Sequence, residues 1–166
     1  MKKSMTKKYA SKVLAGALGL GLLCSSAHAL PFIGIEGGGI VSTELKSGQD
    51  MKFSYGAYGR LWIKLPIRLA PFVKWEVIGD KFLYNLQYGG VVGYALFGML
   101  TPYVGASYST FNRDFQNTWA INYGLHFTIP LVPLAVSFDG SWQELKPFTG
   151  GKISTNRIGV LIGLQF

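Results

Sequence analysis

Beyond its first thirty residues this 166-residue chain holds one histidine, His126, with Thr128 two positions on. A base and a hydroxyl at that spacing share one face of an extended strand, because side chains there switch sides at every residue. The pair has the form His-x-Ser with Thr in place of Ser, and it is where nucleophilic chemistry would be sought. Metal chemistry has less to work with, since one His, scattered carboxylates and no Cys other than Cys24 form no ligand cluster. The run Gly37-Gly38-Gly39 has no helix after it, so it does not read as a phosphate loop. No catalytic residue, metal ligand or cofactor is assigned, and the chain is read as a non-enzyme.

The N-terminus reads as a leader. Lys2, Lys3, Lys7, Lys8 and Lys12 precede an apolar stretch from Val13 to Cys24, and Ala27-His28-Ala29 places small residues where a signal peptidase inspects them. Residues 1–29 are therefore expected to be a cleaved secretory signal peptide, and 30–166 one domain. The apolar run is about 12 residues, against ~20 for a spanning helix. Leu23 before Cys24 disfavours lipidation, which prefers a small residue there. Without the leader, 11 basic residues face 8 acidic ones, a net charge of +3. The basic balance is mostly leader, so nucleic acid is not an expected partner.

Chemistry-bearing side chains must be positioned by strands, because the pattern has a period of two throughout. Eight segments alternate: Phe32 to Thr43, Met51 to Leu65, Leu69 to Val77, Tyr84 to Leu96, Leu100 to Thr110, Trp119 to Ile129, Leu134 to Glu144 and Thr155 to Phe166. In the sixth, Trp119, Ile121, Tyr123, Leu125, Phe127 and Ile129 oppose Asn122, Gly124, His126 and Thr128. Proline- or glycine-bearing short turns, at Pro66-Ile67, Gly98 and Pro130 to Pro133, alternate with more polar connections. The stretch from Gly90 to Ala106 lacks charge over 17 residues. Its glycines and Pro102 make it two strands turning at Gly98 rather than a helix.

A soluble barrel would also alternate, but its outer face should be rich in Lys and Glu. Here the polar positions are mostly Gly, Ser, Asn and Thr, which suit a narrow interior. The predicted fold is all-β, an eight-stranded antiparallel up-and-down transmembrane β-barrel. Tyr55, Trp75, Tyr84, Tyr108, Trp119 and Trp142 fall on the apolar face near the polar connections, as an aromatic girdle at headgroup level requires. Closure follows, because open edges in hydrocarbon would leave backbone groups unpaired. Pro71 and Pro102 are placed near the short-turn ends of their strands, where a missing ladder donor costs least.

The final segment sets Ile158, Val160, Ile162, Leu164 and Phe166 on one face, which resembles the C-terminal assembly signal of bacterial outer-membrane barrels. The whole pattern resembles the small members of that class, the OmpX-like proteins and the transmembrane domain of OmpA-like proteins. That resemblance implies a bacterial outer-membrane location. It also implies outer-membrane lipid and lipopolysaccharide as surroundings, the barrel-assembly machinery as a partner during insertion, and a monomer. Lipid A acyltransferases and deacylases on this scaffold use His with Ser and an acid near the outer leaflet. His126, four residues before Pro130 on a descending strand, lies in the periplasmic half, so a lumenal structural role is expected for it.

Glu36, Arg60, Lys64, Lys74, Glu76, Asp139 and Arg157 point inward and are expected to pair as a plug, since an uncompensated buried charge is costly. If shear leaves the first and eighth strands in step, Glu36 and Arg157 form one such pair. The expected function is structural or surface-interacting. A narrow channel for small or apolar solutes is the alternative, and a lipid A-modifying enzyme the second.

Overall fold

The computed structural model describes residues 33–45, 53–79, 83–129 and 132–166. The expected leader, Phe32, Met51, the connections through 47–50 and 80–81, and Pro130 lie outside them. Strands form where the alternation runs: β1 (Ile33–Leu45), β2 (Phe53–Ile63), β3 (Ile67–Ile78), β4 (Leu83–Tyr94), β5 (Leu100–Phe111), β7 (Thr118–Thr128), β8 (Leu134–Pro147) and β9 (Ile153–Gln165). Between β5 and β7 a two-residue β6 (Phe115–Gln116) pairs with Pro147 and Lys146 at the extended end of β8.

Each long strand pairs antiparallel with the next, and β9 returns to β1, which closes an eight-stranded up-and-down barrel. The last circuit is tied by reciprocal backbone bonds of 2.9 Å between Ile35 and Phe166. One end carries the short turns. At the β4–β5 turn Leu96 and Leu100 exchange backbone bonds of 2.7 and 3.1 Å, with Phe97 and Gly98 at φ 51° and 74°. Pro102 is the third residue of β5, and Pro71 the fifth of β3.

Closure is staggered. From Ile33, partners run through Ile63, Leu69, Val92, Val104, Tyr123, Gly140 and Ile158, and return to β1 at Thr43, ten residues beyond the start. A shear of that size tilts the strands and sets the narrow bore of an eight-stranded barrel.

The two faces divide as a membrane barrel requires. Outward positions such as Val41, Leu69, Val92, Val104, Ile121, Phe138 and Ile162 are exposed, while inward Ser, Asn, Gln and charged residues are buried. The lumen also holds two apolar clusters, Trp62 with Ala70, Phe72, Val91 and Tyr103, and Ile40 with Tyr58 and Leu161.

The tight curvature explains the inward glycines. A Cβ on Gly56 would run into the Trp75 carbonyl oxygen of the neighbouring strand, and one on Gly38 into that of Ile162. Outward-facing Gly59 meets nothing closer than a Val73 methyl at 3.8 Å.

Candidate functional site

The centre of the lumen is organised by Asp139 on β8. Its Oδ2 accepts from Lys74 Nζ at 2.7 Å, and its Oδ1 accepts from Tyr103 Oη at 2.6 Å and Arg60 Nη2 at 3.5 Å. The ring order puts β3 and β8 diametrically opposite each other, with three long strands between them on either side. One carboxylate thus receives donors from β2, β3 and β5 and spans the bore. Arg60 also lies over three aromatic rings, with its guanidinium carbon 4.9 Å from Tyr103, 5.5 Å from Trp62 and 5.6 Å from Tyr58. A cation so placed gains ring-quadrupole attraction in place of lost water.

Toward the short-turn end, Glu36 accepts from Tyr58 Oη and Trp62 Nε1, each at 2.6 Å. His126 stacks on Trp62 with ring centroids 4.8 Å apart. Its Nδ1 stands 2.9 Å from Ser137 Oγ and 3.7 Å from Glu36 Oε2. Ser, His and Glu thus come together, but the arrangement is wrong for nucleophilic catalysis. A triad needs hydroxyl and acid on opposite ring nitrogens, and here both approach Nδ1, while no described hydroxyl or acid meets Nε2. All three side chains are fully buried. Thr128 takes no part, since its hydroxyl bonds the Met99 carbonyl. Ser137 was not distinguishable in sequence from the other inward serines.

The opposite half of the lumen is mostly neutral. Glu76 accepts from Ser42 at 2.6 Å and Ser54 at 3.1 Å. Gln87 donates to Ser141 and accepts from Asn122, whose own Oδ1 accepts from Ser107 at 2.6 Å.

The expected charge network is thus only partly a set of ion pairs. Arg60, Lys74 and Asp139 meet, whereas Glu36 and Glu76 are held by hydroxyls, an indole and His126. Lys64 lies past the end of β2 at the mouth. Glu36 and Arg157 do not pair, and that expectation is corrected. The ten-residue shear sets Arg157 opposite Glu44 and Glu36 opposite Gln165. Glu44 instead accepts from Thr155 at 2.6 Å, and Arg157 Nη1 is buried without a hydrogen-bond partner among the described residues.

On the outer face, Trp75 packs on Tyr84 at 6.0 Å and Tyr108 on Trp119 at 5.4 Å, while Trp142 donates to Ser154 at 3.0 Å. Tyr55 pairs with Val77, which pairs in turn with Tyr84. These six residues lie in the halves of their strands away from the short turns. Tyr88 joins them through Tyr108, 5.9 Å away, and Tyr123 crosses over Gly140 to donate to Asn156 at 2.6 Å. Among the described residues no group of His, Cys, Asp and Glu is placed to hold a metal ion.

No protein-family model matches the sequence, and no curated protein matches it. The fold is similar to the crystal structure of Neisserial surface protein A, with a TM-score of 0.51, 11% identity, and coverage of 80% of this chain and 95% of that one. It also aligns with the Yersinia pestis outer membrane protein Ail in a phospholipid bilayer nanodisc, at a TM-score of 0.44, 14% identity, and coverage of 80% and 99%. At such identity the likeness is one of fold. The fold is that of the small eight-stranded outer-membrane barrels, with an apolar exterior and a filled, polar-centred lumen.

Proposed function

We propose that the protein is a non-catalytic outer-membrane barrel with a structural or surface-interaction role, whose lumen is sealed rather than conducting. The observation that carries this reading is Asp139 bound at once to Lys74 from the opposite wall and to Tyr103 and Arg60. Side chains that meet at hydrogen-bond distance across the bore support a closed lumen, in keeping with the small bore of eight strands. The absence of catalysis is supported by the geometry at His126, where hydroxyl and carboxylate compete for one nitrogen in a sealed site.

Outer-membrane lipid and lipopolysaccharide are the partners in this reading, met through the apolar band and its aromatic girdle. A barrel-assembly partner would engage the apolar face of β9 and the residue after it (Ile158, Val160, Ile162, Leu164 and Phe166), and the barrel acts as a monomer. Planar-bilayer recording tests the seal, and the purified protein is expected to give no steady current. A stable, resolved conductance from unmodified protein would establish the channel reading instead. Lipid A mass spectra from cells with and without the protein are expected to coincide, and a mass change would restore the enzyme.

A further inference from the structure

At the short-turn end the lumen opens into a cavity of about 320 Å³, lined by residues that include Lys64, Arg68, Gly98, Thr128, Ile129 and Gln165. Two cations line it, and no described lining residue is acidic. Arg68 is fixed there, its Nη1 donating to Thr101 at 2.9 Å and its Nη2 to the Gly98 carbonyl at 3.3 Å. Lys64 folds back over Gly34. A Cβ on that glycine would collide with the lysine Cε and would stand 2.9 Å from Nζ and 3.3 Å from Gln165 Nε2. The missing side chain at Gly34 therefore lets an ammonium and an amide converge on one point.

Among the described residues neither of these groups has a hydrogen-bond acceptor. Gln165 Nε2 is buried with no hydrogen-bond partner, and Lys64 makes no ion pair with any described acid. The Lys64 ammonium is disfavoured, with its pKa lowered by burial first and by repulsion from Arg68 second. A buried donor such as Gln165 Nε2 is ordinarily satisfied, and two like charges on half-buried side chains sharing a concave site gain most from an anion between them.

We propose that this mouth binds a phosphate oxyanion, held by Lys64, Arg68 and Gln165. Such a phosphate could belong to the headgroup of a lipid in the leaflet at that end of the barrel or be free in solution. The chemistry of the site is the same for both.

The test is isothermal titration of the folded barrel in a maltoside detergent, using inorganic phosphate in one arm and dihexanoyl phosphatidic acid in the other. Wild type is expected to bind at least one probe saturably, with affinity falling about tenfold for each cation removed in Lys64→Gln and Arg68→Gln, and Lys64→Arg retaining binding. Tighter binding of the lipid identifies a headgroup, and equal binding identifies a free phosphate. Failure of both probes to bind wild type overturns the proposal. So does unchanged binding in Lys64→Gln, a turn substitution that leaves the barrel strands intact and decides the matter even if Arg68→Gln does not fold.

Discussion

Lys74 and Asp139 stand on diametrically opposed strands, yet their side chains meet at 2.7 Å. The ion pair is a strut across the barrel and joins walls that share no backbone hydrogen bond. Both side chains are almost wholly buried, so the pair sits where removing one partner costs more than removing both.

Asp139→Ala is therefore expected to cost about 3–5 kcal/mol, because it leaves Lys74 and Arg60 together without their anion. Lys74→Met should cost less, since Asp139 keeps Tyr103 and Arg60. In the Asp139→Ala background Lys74→Met should recover part of the loss, as coupled neighbours do. Urea titration of the refolded barrel, followed by tryptophan fluorescence, measures all four corners. Strict additivity would show that the strut contributes nothing as a pair.

The inward glycines make a second, steric prediction. Gly56→Ala forces a methyl group against the Trp75 carbonyl and should cost about 1–3 kcal/mol, as overpacking does. Gly59→Ala, on the outer face with room for its Cβ, should be close to neutral by the same titration. Equal losses would mean that strand propensity, not bore crowding, explains the glycines.

Lipid exposure is tested at Val104, an outward residue in the middle part of β5. Val104→Lys should cost about 2–4 kcal/mol in a bilayer if it lies at the midplane. Phe148, an exposed residue in the β8–β9 connection, should accept Lys within about 0.5 kcal/mol, like an ordinary surface site. Folding titrations in lipid vesicles compare the two, and a cheap Val104→Lys would place that face away from hydrocarbon.

The strands and their two faces were legible in sequence because the side-chain period of two carries both at once. Trp119, Ile121 and Tyr123 are written outward by the same alternation that writes Asn122 and His126 inward. Stagger between strands is not carried by that alternation, because any even shift preserves it. The partner of Glu36 was therefore out of reach. Hydroxyl and indole partners were missed for another reason: a charge suggests a countercharge, whereas Tyr58, Trp62 and Ser137 become partners only once the bore brings them close. Trp62 and Tyr103 are inward aromatics, and a polar-inside reading passes over them.

Arg157 gives the sharpest consequence of that stagger. Its register partner Glu44 lies eight residues from Glu36 along β1, roughly 26 Å at the rise of an extended strand. No coupling should pass between Glu36 and Arg157 over that distance, so Glu36→Gln and Arg157→Met are expected to add within about 0.3–0.5 kcal/mol. The single variants should also differ in kind. Arg60→Met removes the cation from among three rings and takes one partner from Asp139, and it should destabilise clearly. Arg157→Met removes a buried charge that has no carboxylate within ion-pair distance among the described residues, so relief of its desolvation offsets the lost packing. Its stability should stay near wild type or rise. Urea titrations of the three single variants and the Glu36→Gln/Arg157→Met double variant decide the point. A large loss in Arg157→Met that Glu36→Gln partly restores would mean that the two residues are paired after all and that the ten-residue shear is wrong.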